Sequence, residues 1–196
     1  RSCLEMRNRM TTRDIQREET KKRIYDVAFK LFDEFGYDKV KVSDIAKAAN
    51  VSVGSVYYHY KNKEAIIDYG YYEFDQMLKE AYEKQTFNSE REAILFLIDF
   101  QIKDVFLDIG LKMTTICFKN QINAENTYLH SDERYLYQKL LENLNNIQYM
   151  NKEHAAKMML RISRGSIYDW CCHNGSYDLV EAVHEEISIV LDYIGL

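Results

Sequence analysis

The chain has 196 residues, 46% hydrophobic and 29% charged, enough for a packed core and a charged surface in one large domain or in a small domain followed by a larger one. It contains no proline and only 7 glycines, where ordinary usage of about 5% would supply about ten prolines, so collagen-like, proline-rich and most low-complexity classes are excluded. The net charge of −5 conceals a division: residues up to Lys63 carry 14 basic and 9 acidic side chains, a net +5, and those from Glu64 carry 12 and 22, a net −10. A positive first third on an acidic body is the pattern of a chain that meets a polyanion at one end.

No run approaches the roughly 18 uncharged apolar residues of a membrane-spanning helix, so no membrane partner is expected. Arg1 to Met10 lacks both an initiator Met and the apolar core of a signal peptide, and residues ahead of Met6 or Met10 read as an addition to the native start. Cys3, Cys117, Cys171 and Cys172 show no CxxC spacing and two are adjacent; a disulfide framework is not expected, and the reading is a reducing cytoplasm.

Taken in order, the segments between breakers read as helices, about nine in all, three up to residue 60 and six longer ones after it. From Thr20 to Phe35, Ile24, Val27, Ala28, Leu31, Phe32 and Phe35 form one apolar stripe, and Gly36 supplies the stop. Ser43 reads as the N-cap of a second helix ending near Ala49, and Ser52 as the cap of a third from Val53 to about Tyr60. A further helix begins near Lys63. Ser89 with Glu92 forms a capping-box pattern ahead of Ala93 to Phe106, closed by Gly110. Asn151 opens a segment that ends at Gly175, and Asp178 with Glu181 opens the last helix, whose stripe is Leu179, Val180, Val183, Ile187, Val190, Leu191 and Ile194. Val40 and Val42 are too short a β-branched run for a strand, and the chain shows no hairpin pattern and no internal repeat. The fold class is all-α.

The informative stretch is Val42 to Glu64, VSDIAKAANVSVGSVYYHYKNKE. Ile45, Ala46 and Ala49 face one way on the second helix, Val51 sits in a turn, and Val56 follows on the third. Small Ala46 permits a close crossing, and the turn needs one residue tolerant of left-handed geometry; Asn50 occupies that position. The third helix would then enter a DNA major groove about 12 Å wide. Gly54 and Ser55 allow close backbone approach and phosphate binding at the helix start. Tyr57, Tyr58 and His59 supply donors, Lys61 and Lys63 add charge, and Ser43 and Lys47 reach the flanking backbone. Tyr57 and Tyr60, at i and i+3, are alternatively core aromatics, and one of the two is expected to be so.

These residues resemble the DNA-binding signature of the tetracycline-repressor (TetR) family over about residues 12–70: Ile45-Ala46, Val51-Ser52, Gly54, Tyr57-Tyr58-His59-Tyr60 and Lys61-Asn62-Lys63-Glu64. Two departures, Asn50 for the usual Gly and Tyr60 for the usual Phe, are physically tolerable. The resemblance implies a homodimer in which residues 1–62 form an N-terminal arm and a helix-turn-helix head on a palindromic operator, and residues 63–196 bind an effector and dimerise. Carried over by position, it implies DNA contact by Ser43, Lys47, Ser52, Val53, Gly54, Ser55, Tyr57, Tyr58, His59, Lys61 and Lys63, with Val53, Gly54, Ser55 and Tyr57 reading bases. It also implies that the last two helices pair with their mates. Met159, Ile162, Ser166, Trp170, Val183, Ile187, Val190 and Ile194 are the interface residues expected, with an internal core helix as the other reading.

The middle of the chain is rich in aromatic, Met and Cys side chains. A pocket lined by Met77, Phe96, Phe100, Met113, Cys117, Phe118 and Tyr137 would suit a small hydrophobic or aromatic effector that releases a repressor from its operator, although such a stripe at helical spacing also builds plain core. No GxGxxG, P-loop, GxSxG or HExxH motif is present, and Cys171, Cys172 and His173 point about 100° apart successively, so they cannot share a metal; no enzyme activity, metal or cofactor is expected. Two further readings stay open: a regulator of the same fold switched by Cys117 or the Cys171–Cys172 pair, and a helical adaptor without DNA binding.

Overall fold

The structure, a computed structural model, describes residues 11–123 and 128–196, apart from the side chains of residues 122 and 123. The start of the chain, with the arm and Cys3, lies outside the described residues. Among the described residues there are nine α-helices and no strand. Close contacts divide the chain into two units between Gly70 and Tyr71.

The first unit holds α1 (Thr12–Phe35), α2 (Val42–Ala48), α3 (Val53–His59) and the first turns of α4 (Lys63–Tyr82). Helix α1 begins at Thr12 rather than Thr20, because Thr11 and Asp14 form a capping box: the Thr11 hydroxyl oxygen accepts from Asp14 N at 3.2 Å and the Asp14 carboxylate accepts from Thr11 N at 3.0 Å. These bonds from Thr11 hold the Asp14 carboxyl below the usual carboxylate range. Its first two turns carry Ile15 as their one apolar residue, and that is exposed, so no apolar stripe announces them. Ile24, Ala28 and Phe32 are buried, Val27 and Leu31 half-buried, and Phe35 is exposed at the helix end.

Helix α2 starts at Val42. The N–H of Lys41 donates to the Asp44 carboxylate at 2.9 Å, so Ser43 is a residue of the first turn and not the cap expected. Its end is a Schellman motif: Asn50 has φ 54°, Val51 N donates to Ala46 O at 3.0 Å, and Asn50 N donates to Lys47 O at 3.2 Å. Ser52 then caps α3, its Oγ accepting from Ser55 N at 3.0 Å, and Asn62 Oδ1 accepts from Ala65 N at 2.9 Å at the start of α4. Ile45, Ala46, Ala49 and Val56 are buried together with Ile66 and Ile67 of α4. Where α4 passes α1, a Cβ on Gly70 would stand 3.0 Å from the Tyr25 hydroxyl, so a side chain there would require the tyrosine ring to shift.

The second unit contains the rest of α4, then α5 (Glu90–Gln101), a π-helical segment (Ile102–Leu107), α6 (Gly110–Asn123), a 3₁₀ turn (Tyr128–His130), α7 (Tyr135–Asn143), α8 (Lys152–Cys172) and α9 (Leu179–Tyr193). Ser89 caps α5, but Glu92 reaches back to Asn88 N, at 2.7 Å, instead of closing the box on Ser89. The expected helix through Phe106 changes to π geometry after Gln101, and the Phe106 carbonyl accepts from the buried Thr114 hydroxyl at 2.9 Å. Gly110, with φ 75°, stands at the start of α6. Asn151 and Asp178 cap α8 and α9 as expected, through His154 N at 2.7 Å and Glu181 N at 3.0 Å. A second Schellman motif, at Asn174 and Gly175, ends α8. Helices α8 and α9 pack along each other and bury Met159, Ile167, Val183 and Ile187 against Leu97 and Ile98 of α5 and Leu136 of α7.

Across this core runs one charged buried pair. The Arg134 guanidinium donates to Asp75 Oδ1 at 2.8 Å and Oδ2 at 3.3 Å, both side chains being almost wholly buried, and Asp75 also accepts from the Tyr128 hydroxyl and from Tyr135 N, each at 2.9 Å. Each carboxylate oxygen thus has at least one donor, which is the condition for holding an ion pair inside a core.

Candidate functional site

Helices α2 and α3 form a compact corner whose inner face is filled by Ile45, Ala46, Ala49, Val56 and Tyr60. Tyr60 is the core aromatic of the pair Tyr57 and Tyr60, and its hydroxyl donates to Lys21 O at 2.9 Å. That leaves the outer face of α3 without packing duties. Tyr57 and Tyr58 are 54% and 69% exposed, and Val53 and Gly54 are exposed beside them. An exposed run of large apolar and aromatic side chains on one short helix has no role in folding and marks a contact surface. A Cβ at Gly54 would meet nothing closer than Ser52 Oγ at 3.7 Å; the fold tolerates a side chain there, and glycine leaves bare backbone at the first turn.

Ser43 and Lys47 on α2 and Ser52 and Lys61 beside α3 are also exposed, whereas Ser55 and His59 are half-buried. Ser52 Oγ is engaged as an acceptor by Ser55 N and keeps its hydroxyl proton for another partner. Lys63 requires correction as a DNA contact. Its ammonium donates to Tyr37 O at 2.7 Å and Val40 O at 3.1 Å and lies 4.2 Å from the centroid of the Tyr37 ring. It braces the turn between α1 and α2, because both carbonyls belong to the connection between those helices. Two basic residues absent from the sequence reading lie close to the corner: the Arg17 guanidinium stands over the Tyr58 ring, 5.7 Å from its centroid, and Lys21 Nζ over Tyr69 at 4.2 Å. The signal for Arg17 is the Thr11–Asp14 capping box, which carries α1 back far enough to include it, whereas Lys21 already lies within the helix expected from Thr20. Burial, then Arg17, with a smaller contribution from Lys21 and an opposing one from Glu18, pushes His59 below the usual imidazole value, so the ring is neutral at pH 7.

This geometry is that of a helix-turn-helix corner with a polar and aromatic outer helix. Residues 24–69 match the family model described as "Bacterial regulatory proteins, tetR family". The chain carries a tetR-family head. Within this tetR-family stretch it is 50% identical over 46 residues to the biofilm operon negative transcriptional regulator IcaR of Staphylococcus epidermidis, a match covering 24% of this chain and 25% of that protein. It is 40% identical over 48 residues to the A-factor receptor protein of Streptomyces griseus, covering 24% and 17%. The matched stretch therefore spans a quarter or less of these curated relatives. Similarity of fold extends much further: a transcriptional regulator from Rhodococcus sp. Rha1 superposes with a TM-score of 0.66 at 17% identity, over 90% of this chain and 98% of that one. The tetR-family repressor FadR of Thermus thermophilus, in complex with lauroyl-CoA, superposes at 0.64 and 20% identity, over 87% and 93%.

In the second unit, a pocket of about 230 Å³ opens among Leu129, Arg134, Tyr137, Lys157, Leu160 and Arg164. Of the seven expected ligand residues Tyr137 alone lines it. Met113 and Cys117 are buried in packed surroundings, Phe118 stacks on Phe106 at 5.7 Å, and Phe96 sits between Phe87 and Phe100. Met77 is exposed and shares with Phe100 a separate open groove. Apart from Met77, and Tyr137 at the pocket wall, the stripe is core because its side chains fill one another's space. Burial and the neighbouring Cys171 push the Cys117 thiol up to about 12, and burial raises Cys171 as well, which opposes thiolate formation.

The interface residues expected on α8 and α9 also require correction. Met159, Val183, Ile187 and Ile194 are fully buried and Trp170 and Val190 nearly so within one chain, while Ile162 and Ser166 are half-buried. The Trp170 indole N–H donates to Tyr177 O at 3.2 Å, and Ser166 Oγ bonds Glu186 at 2.7 Å. These side chains hold α8 and α9 to each other and to the core. The exposed apolar side chains of the same helices are Tyr168, Ile189 and Tyr193. Among the described residues no helix is long and apolar enough to cross a membrane.

Proposed function

We propose that the chain is a ligand-responsive transcriptional regulator of the cytoplasm that binds a palindromic operator as a homodimer and represses until a small molecule binds its second unit. The observation that carries the reading is the outer face of α3, where Val53, Gly54, Tyr57 and Tyr58 are exposed on a helix whose inner face is fully packed. Bases are read by Val53, Gly54, Ser55 and Tyr57; phosphates are held by Ser43, Lys47, Ser52 and Lys61, with Tyr58 positioned by Arg17. Lys63 acts on DNA only through the turn that it braces. The net +5 of the first 63 residues supplies the counterion-release term.

The homodimer forms through the outer faces of α8 and α9, at Tyr168, Ile189 and Tyr193, which are the apolar side chains that the protomer leaves uncovered there. The effector site is the pocket beside Arg134, and ligand complexes of fold neighbours, FadR with lauroyl-CoA and SmeT with triclosan, are consistent with a small-molecule ligand. The raised thiols of Cys117 and Cys171 favour a bound ligand over a cysteine switch. The test is a gel-shift titration against the DNA upstream of the chain's own gene and against a fragment library: salt-sensitive binding that is weakened by Tyr57→Ala supports the reading, and its absence from every fragment favours a helical adaptor.

A further inference from the structure

The pocket of the second unit is basic. Arg134, Lys157, Arg161 and Arg164 face it against one carboxylate, Asp132, and Leu160 and Tyr137 supply apolar wall. Arg134 is paired with Asp75 and Lys157 lies 3.7 Å from Asp132. Arg164 is different. Its Nη2 donates to Leu129 O at 3.1 Å, its Nη1 lies 3.4 Å from His130 Nδ1, and its Nε is buried with no hydrogen-bond partner. Among the described residues no carboxylate lies within 4 Å of its guanidinium, and the Arg134 guanidinium repels it. The guanidinium, half-buried and with its Nε cut off from water, has no counter-charge within the fold, which leaves room for an anion to supply one. Burial and Arg134 accordingly push Arg164 down to about 10.

The geometry points to an effector that is a small organic anion, a carboxylate or a phosphate ester on a compact apolar body, held by Arg164 with Arg161 and Lys157 at the rim. This rests on the regulator reading above and adds the ligand's chemistry to it. A guanidinium fork matches both carboxylate and phosphate oxygens, and a volume of about 230 Å³ is below the usual range for drug-sized ligands, so the body is of the order of a single ring. Arg134, held by Asp75, borders the same pocket. Asp75 lies on α4, the helix whose first residues belong to the head, so a ligand bound beside that pair has a route to operator affinity.

Thermal unfolding and calorimetric titration with sodium benzoate and with inorganic phosphate, each against sodium chloride at equal ionic strength, test the site. At a hundredfold excess over Kd the expected rise in Tm is about 5–10 °C; a benzoate preference assigns a carboxylate effector and a phosphate preference a phosphate ester. Arg164→Met should weaken binding tenfold or more, and the rim pair Lys157→Met with Arg161→Met, exposed and outside the core, should weaken it if Arg164→Met fails to fold. No rise above chloride with either anion, or unchanged affinity in a folded variant, overturns the site. Saturation with no change in operator occupancy overturns the effector role. Failure of the ligand-free protein to bind any operator contradicts the regulator reading alone, since the anion titration does not use DNA.

Discussion

Tyr57 and Tyr60 stand three residues apart and have opposite fates: one ring points away from the protein and the other is buried with its hydroxyl on Lys21 O. Tyr57→Ala should therefore leave the melting temperature within a degree or two and weaken operator binding by about 1–3 kcal/mol, as read by parallel thermal unfolding and gel-shift titration. Tyr60→Ala should do the reverse and lower stability first, by about 3 kcal/mol. His59 gives a pH signature. Its pKa is lowered in the free protein, so neutral imidazole prevails above pH 6.5; as pH falls from there through the lowered value, the unfolded chain binds the proton more readily and head stability declines. Phosphates favour the imidazolium, so operator affinity should rise over the same window, and His59→Gln should flatten both trends. Lys63 marks what sequence position alone cannot reveal at this scale: a lysine next to a basic cluster reads as a phosphate contact until the carbonyls of Tyr37 and Val40 are seen to hold it.

At the scale of elements, most helix ends were legible because caps are local chemistry. Ser52, Asn151 and Asp178 cap as their spacing requires, and Asn50 adopts the left-handed turn. Asn50→Gly should keep or raise head stability by up to about 1 kcal/mol, whereas Asn50→Ala should lower it by about 1–2 kcal/mol, measured in urea. The first two turns of α1 bury no apolar side chain and so carry no periodic signal, and the π-helical segment after Gln101 leaves no trace in the apolar pattern. On α8 and α9 the apolar stripes predict packing, but a stripe does not say against what. Core and interface look alike in sequence, since both need helix-periodic apolar residues. Ile189, 69% exposed, is the better probe: Ile189→Asp should give monomers by sedimentation with little loss of stability, while Trp170→Asp should unfold the second unit.

For the whole molecule, the missing proline and the split charge both find physical expression. Among the described residues helices run nearly throughout, with Gly36, Asn50, Gly110, Tyr149, Asn174–Gly175 and Gly195 carrying the positive φ values, and the net positive charge belongs to the unit with the exposed α3 face. The second unit depends on the Asp75–Arg134 pair, whose partners are 53 to 60 residues apart in sequence and which no local pattern announces. Asp75→Ala, leaving a buried guanidinium unpaired, should cost about 3–5 kcal/mol in the unfolding transition of that unit. The central claim, that the corner of α2 and α3 binds operator DNA, is tested most directly by the salt dependence of operator affinity in wild type and Lys47→Ala. A linear fall of log K with log salt, whose slope shrinks by about 1 in Lys47→Ala, is the predicted result; binding indifferent to salt, or a slope unchanged by the substitution, would contradict it.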